Sequence, residues 1–230
     1  MADAPPGLTP AQAAVVRALP AGLRESFVLT GGTALAAFYL GHRLSDDLDF
    51  FARELAQPVQ FSAIAAALVA TRFTVLTSER LYDRCLFVVE TEGNAVKVEF
   101  APLYFPRLHP PEEQSGVLVD SLDDIAANKI LAVTDRFDPK DFVDVYFLCR
   151  RQGWSVLDLV ALARRKHHAP YEYSLRLSRI LDHAGALAAV RMVHPVAADE
   201  IVGFFRSAEA ELIRTQQARF EALPPPRSRA

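Results

Sequence analysis

The chain of 230 residues has few cysteines, and this scarcity limits the kinds of site that it can carry. Cys85 and Cys149 are the two present, and they do not form a C-x-x-C pair. Neither a disulfide framework nor a thiolate zinc site is therefore expected, and two buried thiols are the simpler interpretation.

Long apolar runs are also missing. No stretch approaches the roughly eighteen uncharged apolar residues that a membrane span requires. The N-terminal residues 1–6 have neither the basic region nor the apolar region of a signal peptide. These absences predict a cytoplasmic protein without a membrane segment.

An excess of positive charge is the third feature that the chain lacks. The formal net charge is -3 and the pI is about 6.1, so the overall positive field of a dedicated nucleic-acid-binding protein is absent. A nucleic-acid substrate would need a local basic patch, such as the run at 164–168. That run is also explained as a charged helix end.

Strand signals are concentrated in the first half of the chain and helix signals in the second. Strands are predicted at 27–30, 47–51, 73–76, 85–90 and 96–101, with helices at 10–19, 33–40 and 60–70. After a proline-rich loop at 103–111, helices are predicted at 123–136, 139–152, 156–167, 172–184 and 199–222. The pattern predicts an α+β lobe over 1–115, a helical lobe over 120–222 and a flexible tail over 223–230.

Two short segments of the first half form a candidate site. A predicted strand runs through Gly31-Gly32-Thr33 into a helix, so backbone N–H groups and the Thr33 hydroxyl can meet a phosphate at the positive end of the helix dipole. The next strand alternates acidic and apolar residues, which places Asp47 and Asp49 on one face. Paired carboxylates beside a phosphate-binding turn suit Mg²⁺ or Mn²⁺ bound to a nucleotide. Each segment alone is also typical of ordinary structure, and it is their ordered combination that favours a site.

A third acid is expected because two-metal nucleotidyl transfer needs ligands for both ions. Glu99 supplies it, since Lys97 and Glu99 share the polar face of an otherwise apolar strand. The alternative is a surface strand with an exposed Lys–Glu pair.

Charged residues also recur on the predicted helices. Asp141 and Asp144 lie three residues apart and therefore share one helix face. Lys129 and Arg136 precede them on the previous helix. Taken by themselves, these four residues are also explained as a solvated helix face.

Other kinds of site find no support. Gly31-Gly32-Thr33 lacks the spacing and the lysine of a P-loop. His167 and His168 diverge by about 100° on a helix, which excludes a shared metal site. His42, beside Arg43, is either a phosphate-positioning residue or an ordinary loop residue.

Three strings resemble the nucleotidyltransferase AbiEii/AbiGii toxin family, in the same order. They are GGTAL at 31–35, GHRLSDDLDFF at 41–51 and DPKDFVD at 138–144. The resemblance spans residues 25–150, approximately, and implies a polymerase-β-like nucleotidyltransferase fold. That fold is a mixed sheet flanked by helices, here followed by a helical lobe that completes the site.

The resemblance also implies a role for each matching residue of the sheet. Gly32 and Thr33 match the pair that handles nucleotide phosphate, and Asp47 and Asp49 match the metal-binding acids of the first motif. Glu99 resembles the later single acid, which implies that it binds metal and activates or orients the nucleophile.

In the helical half, Lys129 is similar to the family's lysine that engages the nucleotide. Asp141 and Asp144 match the first two acids of the last motif, which implies a catalytic role for Asp141 and nucleotide binding for Asp144. The third polar residue that commonly follows is replaced by Phe147.

The function implied is metal-dependent transfer of NMP from an NTP to an acceptor hydroxyl, with RNA such as tRNA as an acceptor. The setting implied is the toxin of a type IV toxin–antitoxin or abortive-infection system, with a cognate antitoxin as partner. Two alternatives stay open. One is a nucleotide-binding or interaction module without turnover, suggested by Phe147 and the weak basicity. The other is transfer to a small molecule such as an aminoglycoside.

Overall fold

A seven-stranded mixed sheet organises the first half of the chain. The computed structural model describes residues 7–71, 73–91, 93–168 and 177–221, with the backbone alone at 219–221. The strands are β1 (Phe27–Thr30), β2 (Asp47–Leu55), β3 (Thr74–Leu81), β4 (Arg84–Thr91), β5 (Asn94–Leu103), β6 (Glu112–Gln114) and β7 (Val117–Val119). Their order in the sheet is β3-β4-β5-β2-β1-β7-β6. The pairs β2–β5 and β1–β7 are parallel, and the other pairs are antiparallel. The predicted α+β class with a mixed sheet is confirmed.

Helices cover the sheet and make up most of the second half. They are α1 (Pro10–Ala18), α2 (Ala21–Ser26), α3 (Gly31–Ala34), α4 (Phe61–Val69), α5 (Leu122–Asp135), α6 (Pro139–Gln152), α7 (Val156–His167), α8 (Arg179–Asp182) and α9 (Ala198–Glu221). A π-helical turn, Leu35–Leu40, continues α3, and a 3₁₀ turn, Ala184–Ala189, follows α8. None of the helices in these described ranges is both long and apolar enough to span a membrane.

Several predicted boundaries differ from the structure. The strands β2 to β5 are longer than predicted, and β6 and β7 lie in a stretch predicted to have no strand. Because β7 pairs with β1, the sheet continues past residue 115, where the first lobe was expected to end. The helix predicted at 33–40 is an α-turn followed by a π-helical turn. Of the helix predicted at 172–184, residues 172–176 lie outside the described residues, as do residue 222 and the predicted tail at 223–230.

Aromatic side chains pack against one another on the buried face of the central strands β1, β2 and β5. Phe50 of β2 and Phe100 of β5 are both fully buried, and their rings stack with centroids 5.3 Å apart. Phe27 of β1 meets Phe100 edge to face at 4.9 Å. Burial of side chains this large contributes roughly 2–3 kcal/mol each. The three strands are therefore held together directly beneath the polar face that carries the acids.

The loop before β2 is held by α1. This helix begins with a capping box, in which Thr9 and Gln12 each accept from the other's backbone N–H. The Gln12 side chain, which is buried, also donates from Nε2 to the backbone carbonyl of Ser45 at 2.8 Å. The backbone just before β2 is thus held in place by a side chain of α1.

Candidate active site

Asp47 and Asp49 lie side by side on the polar face of β2. Both are half-buried, whereas the apolar residues between and after them are buried. In the parallel pairing with β5, Asp47 lies opposite Lys97 and Asp49 lies opposite Glu99. The alternation predicted that the two acids share a face, and the register brings Glu99 beside them.

Negative charge is crowded around Asp49. Burial, with the nearby carboxylates of Glu99 and Asp47, raises the pKa of Asp49 from 3.8 to about 6. The two flanking acids each have a cation: Lys97 Nζ lies 3.4 Å from Asp47 Oδ2, and Arg84 Nη2 lies 2.6 Å from Glu99 Oε1. Among the described residues, no basic group lies within ion-pair distance of Asp49. Asp49 is therefore the acid of the three whose charge is least compensated.

The Gly31-Gly32 turn lies directly against Asp49. Because β1 is antiparallel to β2 with Thr30 opposite Asp49, the chain leaving β1 passes over that carboxylate. Gly31 has a φ of +73°, and a Cβ placed there would come 2.5 Å from Asp49 Oδ2. A side chain at residue 31 would therefore strain the backbone and also displace the carboxylate.

Gly32 and Thr33, predicted to bind phosphate, have different surroundings. A Cβ placed on Gly32 would collide with the Nη2 atom of Arg43. Thr33 is 1% exposed, and its hydroxyl donates to the backbone carbonyl of Asp47. Thr33 thus joins α3 to the start of β2, and its contact with phosphate stays a prediction.

Lys129, Asp141 and Asp144 form a buried ion cluster between α5 and α6. Lys129 Nζ lies 2.7 Å from Asp141 Oδ1 and 2.7 Å from Asp144 Oδ2. All three side chains are buried, so their interpretation as a solvated helix face is wrong. The positive charge of Lys129 acts to lower the pKa of Asp49, against the larger effects that raise it. The cluster is therefore within electrostatic reach of the acids on β2.

Asp144 is enclosed by cations and has no exposed surface. Arg43 donates to both of its oxygens, from Nε at 2.6 Å and from Nη2 at 2.8 Å, and His42 Nε2 lies 2.7 Å from Oδ1. Burial acts to raise the pKa of Asp144, but Lys129 and Arg43 hold it well below its ordinary value. The predicted contact of Asp144 with nucleotide is not available in this geometry, because both of its oxygens are bonded inside the protein.

Asp141 connects the buried cluster to the surface. Its Oδ2 accepts from Arg136 Nε at 3.0 Å, and the Arg136 side chain is 63% exposed. Burial opposes the shift, but Asp141, and more weakly Asp49, raise the pKa of Arg136. Arg136 is therefore an exposed cation that contacts the buried cluster and lies within electrostatic reach of Asp49.

The chemistry of the acids fits a divalent cation. Carboxylate oxygens are the ligands that Mg²⁺ prefers. Burial and, after it, repulsion by Glu99 and Asp47 raise the pKa of Asp49 to about 6, and a bound cation would offset both effects. Asp47 and Asp49 are the residues that would hold it. Over the described ranges, no three Asp, Glu, His or Cys side chains are gathered as a metal-binding group, and Glu99 pairs with Arg84 instead. Glu99 as a third metal ligand stays a prediction.

The sequence did not predict the contacts of Arg43 with Asp144 and of Arg136 with Asp141. Arg43 lies in a loop, where no spacing pattern singles it out, and Arg136 was grouped with the solvated helix face. One signal for Arg43 was present, because Asp144 lies within a largely apolar helical segment at 142–149. A buried carboxylate needs a buried cation, and Arg43 and His42 are the basic residues of the preceding motif.

Comparisons with known proteins point to one family. The model of the family described as nucleotidyl transferase AbiEii toxin, type IV TA system, matches residues 14–224. An uncharacterized protein of Aquifex aeolicus (strain VF5) is 32% identical over 156 residues, which cover 67% of this chain and 72% of that protein. The family match is wider than the three motifs that suggested the resemblance.

Two crystal structures from Helicobacter pylori share the fold. One, described as a candidate nucleotidyltransferase, superposes with a TM-score of 0.54 at 19% identity and covers 83% of this chain and 89% of its own. The other, JHP933, has a TM-score of 0.52 at 18% identity and covers 85% and 89%. At these identities the likeness shows the fold alone, which is the predicted nucleotidyltransferase fold. Since the family model matches nearly the whole chain, this protein belongs to the AbiEii family of nucleotidyltransferase toxins of type IV toxin–antitoxin systems.

Proposed function

We propose that this protein transfers NMP from an NTP to an acceptor hydroxyl, with a divalent cation held by Asp47 and Asp49. One observation carries the proposal: the Gly31-Gly32 turn approaches Asp49 so closely that a Cβ on Gly31 would lie 2.5 Å from its carboxylate. Backbone N–H groups of the turn can therefore reach a phosphate that shares its cation with that carboxylate.

The surroundings of each residue support a distinct part in the reaction. The acceptor oxygen would attack the α-phosphorus, and pyrophosphate would leave with the electrons of the broken P–O bond. Glu99, opposite Asp49, would orient the acceptor hydroxyl and take its proton. A bound cation would supply charge neutralisation at the triphosphate. Lys129 and the exposed Arg136 would add positive charge near the leaving phosphates.

RNA such as tRNA is the acceptor that we propose, and membership of a type IV toxin–antitoxin family implies a cognate antitoxin as partner. The structure does not favour the alternative of a module that has lost turnover. Phe147, whose presence suggested it, is buried and packs on the ring of His42 with centroids 5.1 Å apart. The aromatic residue therefore fills the interior behind Asp144, and it does not occupy the polar face that carries Asp47 and Asp49.

The test is incorporation of radiolabelled NMP into total tRNA, with each of the four NTPs and with Mg²⁺ or Mn²⁺. The variant is Asp47→Asn/Asp49→Asn, and the matched control is Asp83→Asn, an exposed acid in the β3–β4 turn. We expect the double variant to lose roughly 100-fold or more of the rate, because the cation loses its ligands, while the control keeps it. Equal incorporation by the double variant would refute the assignment.

Two further measurements separate the alternatives. NTP binding by calorimetry with no incorporation into tRNA or into an aminoglycoside would indicate a module without turnover. Incorporation into the aminoglycoside alone would indicate a small-molecule enzyme. Growth arrest on expression, relieved in Asp47→Asn/Asp49→Asn cells and not in Asp83→Asn cells, would tie the chemistry to toxicity.

A further inference from the structure

Asp144 is surrounded by bases that come from two distant parts of the chain. Arg43 and His42 belong to the loop before β2, and Lys129 belongs to α5. Their nitrogens lie between 2.6 and 2.8 Å from its two oxygens. One carboxylate on α6 therefore joins the loop of the sheet to the helices of the second half.

The Arg43 side chain extends this connection to the Gly31-Gly32 turn. Its Nε and Nη2 atoms bind Asp144, and its Nη1 donates to the backbone carbonyl of Leu44 at 3.0 Å. The same Nη2 lies so close to Gly32 that a Cβ on that residue would overlap it. The guanidinium thus packs closely against Gly32, where it occupies the space that a side chain would need.

The backbone around Arg43 is held from the C-terminal half as well. Arg43 forms a β-bridge with Met192, and the amide of Leu44 donates to the carbonyl of Arg191 at 2.9 Å. On the other side, the amide of Val193 donates to the carbonyl of His42 at 2.8 Å. Arg43 therefore has a fixed backbone as well as a fixed side chain.

Neither Arg43 nor Asp144 can touch a nucleotide in this structure, because they are 3% and 0% exposed. A cluster of buried ion pairs is also weak evidence for stability, since apolar side chains of similar volume often stabilise a core as well or better. What such a cluster provides is a fixed geometry. The group whose geometry it fixes is the turn that contacts both Arg43 and Asp49.

We propose that Asp144 is a positioning residue that holds Arg43 against Gly32 and so fixes the Gly31-Gly32 turn over Asp49. The cluster of Asp144, Arg43, His42 and Lys129 acts on the reaction through the backbone of that turn. The interpretation of the turn as the phosphate-binding element rests on the proposed function. The position of the turn itself does not, and it can be measured separately.

Two variants disturb the contact in different ways. Gly32→Ala leaves every charged residue in place, but its added methyl group must displace the Arg43 guanidinium. Arg43→Lys keeps the charge beside Asp144 but loses the planar double contact. If Arg43→Lys does not fold, Gly32→Ala alone decides the question.

Each variant has a matched control in the chain. Gly203→Ala changes another helical glycine, around which a Cβ would meet nothing within 4 Å. Arg107→Lys changes another arginine that binds a buried carboxylate, at 2.5 Å from Asp120, and backbone carbonyls at the far end of β2. Any general loss of stability would therefore be present in the arginine control as well.

The experiment measures hydrogen–deuterium exchange at residues 31–34 of the full chain, and the affinity for each fluorescently labelled NTP with Mg²⁺. We expect Gly32→Ala and Arg43→Lys to raise the exchange and to weaken NTP binding about tenfold or more, because a small misplacement of a binding group is costly. In the transfer assay KM for NTP should rise more than kcat falls. The controls should change neither the exchange nor the affinity.

Three outcomes decide the proposal. Exchange and affinity that match those of the controls would overturn it. Weaker NTP binding with unchanged exchange would also overturn it, because the effect on NTP binding would then not pass through the backbone of the turn. Faster exchange at 31–34 in a protein whose wild type binds no NTP would support the positioning role and would refute the proposed function instead.

Discussion

Two carboxylates are linked to the Gly31-Gly32 turn, and their surroundings are opposite in charge. Asp49 occupies the space that a side chain on Gly31 would need, whereas Asp144 is connected to Gly32 through Arg43. Burial acts to raise the pKa of both acids. The pKa of Asp49 rises to about 6, yet that of Asp144 falls well below its ordinary value. The difference lies in their neighbours, which are two acids for Asp49 and three bases for Asp144.

The comparison separates an acid that is fully paired inside the protein from one that, under the proposed function, binds a ligand. The charge of Asp144 is satisfied inside the protein, so this carboxylate has no capacity left for a ligand. The charge of Asp49 is opposed by its surroundings, and an external cation would relieve that repulsion. A charge that its neighbours repel lowers the free energy of unfolding when no ligand is bound. A cation that binds the folded protein would raise this free energy again.

The largest difference in stability is expected between variants that neutralise Asp144 and Asp49 separately. Asp144→Asn leaves Arg43 and Lys129 buried without their shared carboxylate, so we expect the free energy of unfolding at pH 7 to fall by about 3–5 kcal/mol. Asp49→Asn removes a repelled charge, so the free energy of unfolding should stay the same or rise. Urea denaturation of the two variants and the wild type measures both changes.

Asp83→Asn is the control for this comparison, because Asp83 is exposed in the β3–β4 turn. It should change the free energy of unfolding by less than about 0.5 kcal/mol. Equal losses of stability in Asp49→Asn and Asp144→Asn would show that burial alone decides, and the distinction between the two acids would be lost.

A smaller effect should be seen in the pH dependence of stability. Because the folded-state pKa of Asp49 is raised, the stability that its protonated form contributes is present below pH 4, approximately, and is lost as the pH rises through about 6. For Asp144 the folded-state pKa is lowered, so the stability that its ionised form contributes is fully present above the ordinary pKa of 3.8 and is lost as the pH falls below that value.

The measurement is the free energy of unfolding of the wild type minus that of Asp49→Asn, from pH 4.5 to 7.5. We expect this difference to become less favourable by about 1–2 kcal/mol as the pH rises, after allowance for the partial exposure of Asp49. Under the proposed function, added Mg²⁺ should reduce this decline. Parallel stability curves for the two proteins would contradict the raised pKa.

The features that the sequence predicts well are local ones. The alternation of Asp47 and Asp49 with apolar residues is visible within one strand, so the polar face of β2 could be predicted. The strands β6 and β7 have three residues each, too few for periodicity to appear. Their place at the edge beside β1 depends on pairing between segments more than eighty residues apart in sequence.

In the candidate site, too, the local features were predicted and the contacts between distant segments were not. Its acids and glycines occur in motifs, so the resemblance found them, but the partners of their side chains were not predicted. Arg43 and Asp144 are 101 residues apart, and only the packing of α6 against the loop before β2 brings them together. Thr33 was predicted to face phosphate, and the structure bonds its hydroxyl to the carbonyl of Asp47. Motifs identify which residues matter, whereas tertiary contacts decide what each one touches.

The smallest change in stability is expected for Arg84, which tests whether Glu99 contributes to the raised pKa of Asp49. Its side chain is 52% exposed and pairs with Glu99, so Arg84→Ala should lower the free energy of unfolding by at most about 1 kcal/mol. Without that cation Glu99 should repel Asp49 more strongly, and the pKa of Asp49 should rise further, which carboxyl-carbon NMR can follow. Arg80→Ala is the control, because Arg80 is an exposed arginine on β3 whose Nε donates to the carbonyl of Tyr82. If the two variants give the same pKa for Asp49, crowding by Glu99 is not the cause of the shift, and burial must account for it.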